Sequence, residues 1–180
     1  QTTVQDLGRK NKAHLGISAA GAADTYSMKI ANIIVGNRIG QSTLEMTLFG
    51  GEYKFQKDAI IAFAGSIFKV TVDGKNIEFY KSYEIKNGCT IKVGPTIEGA
   101  RCYLAVRGGL KVPTSMNSHS THILSGIGGH KGRALKKGDK IRIENTLLFE
   151  AFEDMQSNWI TLRIPPFVPN DNFESKLGNA

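Results

Sequence analysis

Turn residues interrupt this chain so often that only short strands fit between them. Asp73-Gly74 supplies both central residues of a type I′ turn, with alternating segments at 68–72 and 76–79 on either side, and predicts a hairpin. Asn87-Gly88 repeats the signal between 82–85 and 90–93, and predicts a second hairpin that Gly94-Pro95 closes. Residues 59–64 form a continuous apolar run suited to a strand buried on both faces. Further strands are predicted at 102–106, ended by Gly108-Gly109, and at 140–143, 147–152 and 159–164, the last stopped by Pro165-Pro166. An open sheet of such strands would leave edges exposed, and closure removes them. The expected fold is therefore mainly β, a closed barrel with one or two covering helices.

One segment reads as a helix. Asp24 is a good N-cap, Tyr26, Ile30, Ile33 and Ile34 fall at helical spacing, and Gly36-Asn37 supplies a stop. Its expected task is to plug or cover the barrel. A domain boundary is expected near 138–145, with 1–143 as the barrel and 144–180 as the start of a second subdomain or a linker and tail.

With 41% hydrophobic and 22% charged residues, the 180-residue chain can bury a core. No apolar run approaches the roughly 18 residues that span a bilayer, and no leader pattern stands at the amino end, so a cytoplasmic protein away from membranes is expected. The net charge of +7, from 23 basic and 16 acidic residues, points to anionic partners. Nucleic acid is not the expected one, because the basic residues are scattered and not interleaved with aromatics for stacking. An anionic small molecule or an acidic surface suits the same charge. Cys89 and Cys102 are too few for a disulfide framework and read as reduced core thiols.

Four constellations could carry chemistry. Asp6 and Arg9, three residues apart with Gln5 beside them, either pair with each other or leave Arg9 to hold a carboxylate or phosphate while Asp6 orients it. The small residues 18–24 admit either a ligand or another backbone, with Asp24 capping the helix or the helix N-terminus facing an anion. The glycines of 124–133 match neither the dinucleotide nor the Walker spacing, since Lys131 stands where a third glycine is needed. They form either an anion nest with Lys131 or Arg133, or a flexible connection. In 118–122, His119 and His122 could serve a metal or a serine, but no orienting acid is evident and a polar loop is the better reading. Glu45 should share one strand face with Thr43 and Thr47 rather than with Leu44, Met46 and Leu48, facing either solvent or a polar pocket.

The strings TTVQDLGR, AGAAD, IANIIVGN and LEMTL, with ARCYLAVRGGL at 100–110 and NSHSTHILSGIGGHKGRALKKGD at 117–139, resemble the family of allophanate hydrolase subunit 2 and the 5-oxoprolinase C subunit, a biotin-dependent carboxyltransferase-type family. The resemblance covers residues 1–139 in order and implies paired cyclophilin-like β-barrels. It implies a component that works with a sister subunit, of the kind represented by the 5-oxoprolinase B subunit or by allophanate hydrolase subunit 1. The activity it implies is ATP-dependent conversion of 5-oxoproline to glutamate, with ATP and Mg on the complex. The alternatives are a carboxyltransferase or allophanate hydrolase-type subunit of urea degradation acting on a urea-like substrate, and a regulator that binds a kinase-inhibiting sister protein. Biotin would arrive on another chain, because no Ala-Met-Lys-Met motif occurs. The implied pocket takes Asp6, Arg9 and Glu45 as catalytic residues and Gln5, Asp24, Asn32, Arg107, Ser120 and Arg133 as substrate-binding ones, with no metal ligands. The sequence departs from the family where Asn11-Lys12 stands for glycine and an aromatic, Gly51 for a proline, and Asn117-Ser118-His119 for a glycine-serine-arginine run, and the family's second barrel is not expected after about Leu147, nor its first strand before Gln1.

Overall fold

Asp73 and Gly74 sit at φ +46° and +82°, the two left-handed conformations that a type I′ turn requires, and the strands on either side pair as expected. The computed structural model that contains this hairpin describes residues 1–12, 14 and 16–144. The strands expected at 147–152 and 159–164, and almost all of the second segment, lie outside the described residues.

The elements are β1 (Thr2–Gln5), α1 (Thr25–Ile34), β2 (Thr43–Thr47), β3 (Phe49–Lys54), β4 (Ala59–Gly65), β5 (Phe68–Val72), β6 (Lys75–Asn76), β7 (Ser82–Ile85), β8 (Thr90–Thr96), β9 (Arg101–Val106), β10 (Leu110–Lys111) and β11 (Arg142–Ile143). The main sheet is antiparallel and runs β6-β5-β8-β3-β2-β9-β4-β7, with β1 added to β2, while β10 and β11 form a separate pair.

The ladder does not close, because its end strands β6 and β7 are not paired with each other. The seam is crossed instead by the segment that joins them in sequence. Ile77 N donates to Val70 O on β5, and Tyr80 N donates to Phe63 O on β4. The curl brings both ends of the sheet onto one core, in which Phe68, Val70 and Ile91 pack with Ile61, Phe63 and Ile85.

The second predicted hairpin does not form. Residues 86–89 do turn, with Cys89 N bonded to Lys86 O, but β7 pairs with β4, and β8 pairs with β3 and β5. A turn signal fixes only local geometry. Here the apolar positions of β8 are buried between β3 and β5, which takes that strand away from β7.

Helix α1 begins and ends where its capping residues put it. Asp24 Oδ1 accepts from Tyr26 N (3.1 Å) and Ser27 N (3.0 Å). At the other end Gly36 N donates to Ile33 O and Asn37 N to Asn32 O, a Schellman pair that needs Gly36 at φ +76°. The buried face differs from the apolar stripe in the sequence. Ser27, Met28, Ala31 and Asn32 face the protein, whereas Tyr26 is 74% and Ile33 56% exposed. The helix packs against Ala62, Ala64, Tyr103 and Ala105 of the sheet; the small residues of that surface bring Ser27, Met28, Ala31 and Asn32 to the centre of the contact and leave Ile30 and Ile34 partly buried at its flank.

Both cysteines are free, as expected, and Cys102 is fully buried. Burial pushes its thiol up to about 12, so it is a packing group and not a nucleophile.

Candidate functional site

Strand β1 fixes the site, because its alternation sends Val4 into the core and leaves Thr3 and Gln5 on the opposite face. Across the ladder Thr3 stands opposite Glu45, Gln5 opposite Thr43, and Glu45 opposite Tyr103. These cross-strand partners form a polar stripe on the face that α1 covers farther along, and Thr3, Gln5, Thr43, Glu45 and Tyr103 are all buried. Glu45 therefore shares its face with Thr43, as alternation predicts, and the face is buried and polar rather than open to solvent. Glu45 Oε2 accepts from Tyr103 Oη (2.7 Å) and Ala23 N (2.8 Å), while Arg101 Nε approaches Oε1 at 3.9 Å.

This face is roofed by backbone. Arg9 N donates to Ala19 O (2.7 Å) and Ala22 N to Asp6 O (2.9 Å), so the small residues of 18–24 admit another stretch of main chain and not a ligand. Gly8 is required here, since a β-carbon on it would lie 2.7 Å from Ala19 O. Asp24 occupies the helix N-terminus with its own carboxylate, and its backbone N–H donates to Tyr103 Oη (2.8 Å).

Asp6 ties this roof to a segment more than 110 residues away. Its carboxylate accepts from Gly8 N (2.7 Å), Ser118 Oγ (2.7 Å), His119 N (2.6 Å) and Ser120 Oγ. Its own N–H donates back to Ser120 Oγ (3.0 Å). Burial pushes the Asp6 carboxyl up, but the bonds from Ser120, His119, Ser118 and Gly8 outweigh it and hold the group below its ordinary value. Asp6 is thus an ionised acceptor with both oxygens engaged. The acid that the serines lacked in the sequence is Asp6, and it joins them as an orienting group.

Arg9 does not pair with Asp6. Its side chain is 1% exposed, Nη2 donates to Ser120 O (2.6 Å), and Nε and Nη1 are buried with no partner. No carboxylate lies within ion-pair distance of it among the described residues. Gln5 is 5% exposed, and its Nε2 donates to Thr121 O (3.1 Å) and Thr3 Oγ1 (3.0 Å), leaving Oε1 buried and unpaired. Residues Asp6, Gly8, Lys10, Asn11, Met116 and Asn117 line an adjoining cleft of about 500 Å³. Three of them, Asn11, Met116 and Asn117, hold left-handed φ angles of +57°, +50° and +62°, backbone strain of the kind that collects at binding sites.

The structure gathers Gln5, Asp6, Arg9 and Ser120 into one cluster, with Glu45 on the same strand face as Gln5. Asn32 and Arg107 belong elsewhere. Asn32 Oδ1 accepts from Asn37 Nδ2 (2.9 Å), its Nδ2 donates to Gln41 O (2.8 Å), and Arg107 Nε donates to Val35 O (2.8 Å), all at the far end of α1. Asp24 and Asn32, eight residues apart, are separated by roughly 12 Å along the helix. Arg133 forms a two-pronged pair with Asp139 (2.7 and 2.9 Å), which holds the Asp139 carboxyl well below the usual carboxylate range. His119 Nδ1 contacts Val112 O and His122 Nδ1 contacts Ser125 Oγ, and no acidic, histidine or cysteine cluster suited to a metal occurs among the described residues.

The glycine segment uses several of its amides in its own turns. The amides of Gly126, Ile127, Gly129 and Gly132 donate to Ile123 O, His122 O, His119 O and Gly128 O, so these four are turned to the chain's own carbonyls. Its glycines serve close packing: a β-carbon on Gly128 would overlap Arg9 Nη2 and Ser120 O. Thr3, Thr121 and Tyr103, which complete the site, were not singled out in the sequence. Alternation along β1 from the core residue Val4 is the signal that would have found Thr3.

Residues 15–167 match the family model of the carboxyltransferase domain, subdomain A and B. The chain is 40% identical over 139 residues to urea amidolyase of Saccharomyces cerevisiae, a match covering 77% of this chain and 8% of that protein. It is 39% identical over 142 residues to the C subunit of 5-oxoprolinase from Escherichia coli, covering 79% of this chain and 46% of the relative. The crystal structure of urea amidolyase from K. lactis superposes with a TM-score of 0.78 at 36% identity, over 79% of this chain and 9% of that one. The chain thus spans less than half the length of these relatives. A match over most of its residues, in sequence and in fold, places this chain in the carboxyltransferase domain, subdomain A and B, family.

Proposed function

We propose that this chain is part of the C subunit of a cytoplasmic, ATP-dependent 5-oxoprolinase, which opens 5-oxoproline to glutamate together with a sister subunit of the B type. The observation that carries the reading is Arg9, a buried cation with two unpartnered nitrogen positions and no neighbouring carboxylate, in a chain akin to a 5-oxoprolinase C subunit. A charge in that position is costly unless an anion meets it, and the substrate carries one. Asp6, through Ser118 and Ser120, holds the backbone on which Arg9 rests. ATP, when bound to the complex, would supply the phosphoryl group that activates the ring amide at its oxygen. In this reading ATP and its Mg are held on the complex of this chain with its sister subunit. Residues 1–143 would be a cyclophilin-like barrel and 144–180 the beginning of a second.

A second reading is favoured by the likeness to urea amidolyase: a carboxyltransferase step of urea degradation, with biotin carried on another chain or domain. ATP turnover by the full-length protein with its sister subunits separates the two. Stimulation by 5-oxoproline that requires this chain supports the first. Stimulation by urea and bicarbonate, dependent on a biotin-bearing partner, replaces it with the second. A stable complex that responds to neither points to the regulatory alternative.

A further inference from the structure

Two unsatisfied side chains converge on one stretch of backbone. Arg9 Nη2 bonds Ser120 O at 2.6 Å and Gln5 Nε2 bonds Thr121 O at 3.1 Å, and consecutive α-carbons are only about 3.8 Å apart. The Thr121 carbonyl can only accept, which fixes the amide nitrogen of Gln5 on that side and leaves Oε1 as the unpaired atom. Arg9 therefore offers spare donors while Gln5 offers a spare acceptor, and the two do not bond each other. Leaving either group unsatisfied in the interior is unfavourable, and a well-packed apolar side chain in place of Arg9 would suit stability equally well or better. The requirement that explains both is a ligand with an anionic acceptor and a nearby N–H.

We infer that Gln5 is a specificity-determining residue: its Oε1 accepts the N–H of a ligand whose carboxylate is held by Arg9. The ligand class is a carboxylate with an amide or ureido N–H adjacent to the carbon that bears it. The inference rests on the anionic-substrate reading of Arg9 and deepens it, because Arg9 alone would accept any small carboxylate. Gly8 and Lys10, which flank Arg9 in sequence, lie in the wall of the 500 Å³ cleft. Selection comes from the unpaired atom. A ligand with a ring oxygen in place of N–H sets a lone pair against Oε1 and leaves it unsatisfied, whereas an N–H completes it.

The test is calorimetric binding to the full-length protein in complex with its sister subunits. The probes are 5-oxoproline, its lactone isostere 5-oxotetrahydrofuran-2-carboxylate, 2-pyrrolidinone, and the acyclic pair hydantoate and carbamoyloxyacetate. The expected result is that each N–H ligand binds about 10- to 100-fold tighter than its oxygen counterpart, and that pyrrolidinone, without the carboxylate, binds weakest. In Gln5→Met the preference for N–H should fall to within about threefold, and in Arg9→Met the preference for the carboxylate should be lost. The comparison of lactam with lactone uses the unaltered protein and so decides even where a variant does not fold. Equal binding of lactam and lactone, or no binding by any carboxylate, overturns the inference. Binding of hydantoate with the expected N–H preference but no binding of 5-oxoproline keeps the inference and removes 5-oxoproline as the substrate.

Discussion

Replacing Asp6 with asparagine should destabilise the protein far more than a loss of one charge at a surface would. The wild-type carboxylate accepts four hydrogen bonds, three on Oδ1 from Gly8 N, Ser118 Oγ and Ser120 Oγ, and one on Oδ2 from His119 N. A bond to a charged acceptor contributes about 1.5–3 kcal/mol and a neutral one about 1 kcal/mol. With its amide oxygen at the Oδ1 position, asparagine keeps three bonds but weakens each by roughly 0.5–1 kcal/mol. Its NH2 then faces the His119 N–H, donor against donor, which leaves a buried N–H unsatisfied at about 1–3 kcal/mol. The sum is about 3–6 kcal/mol, or roughly 8 °C or more in Tm for a domain of this size. Thermal unfolding of the single variants Asp6→Asn and Ser120→Ala and of the double variant, followed by circular dichroism at pH 7, measures it. Because the two side chains share a hydrogen bond, their effects should fall short of additive by about 1 kcal/mol or more. A Tm shift below about 2 °C for Asp6→Asn, or strict additivity, would refute the role assigned to Asp6.

The same group sets an acid limit. The folded carboxyls of Asp6 and Asp139 lie below their ordinary value near 3.9, so their contribution is present above about pH 4 and lost as pH falls through the folded values. Stability should be level from pH 7 to about 5 and decline below about 4, with a shallower decline in Asp6→Asn, checked by urea titrations across that range. Gly128→Ala should cost about 2–4 kcal/mol, because its φ of +70° is strained for alanine and the new methyl meets Arg9 Nη2 and Ser120 O, as denaturant unfolding would reveal. Arg9→Met should leave Tm within about 3 °C of wild type or raise it while abolishing ligand binding, and a large loss of Tm would mean that Arg9 is structural. Native protein treated with iodoacetamide at pH 8 should show no modified Cys102 by mass spectrometry, since the thiol is fully buried and pushed up to about 12.

Features that depend on a few neighbouring residues are legible along the chain. The hairpin at Asp73-Gly74 follows from two residues that tolerate positive φ, and the ends of α1 follow from Asp24 and Gly36, each acting within one turn of chain. The face of Glu45 followed from alternation alone. Contacts between distant segments set the rest. The partner of β7 is β4, because strand pairing is set by which apolar faces meet across the core and not by the nearest turn. The face that α1 buries is chosen by alanines at 62, 64 and 105, which are distant in sequence and whose small size only matters once the helix lies on them. The cluster of Gln5, Asp6, Arg9 and Ser120 is held by bonds that span more than 110 residues, so no spacing rule along the chain could pair Asp6 with Ser120 in place of its near neighbour Arg9. Local conformation is written in consecutive residues; the unpaired Arg9 and Gln5 exist only because folding removes water from them without supplying partners.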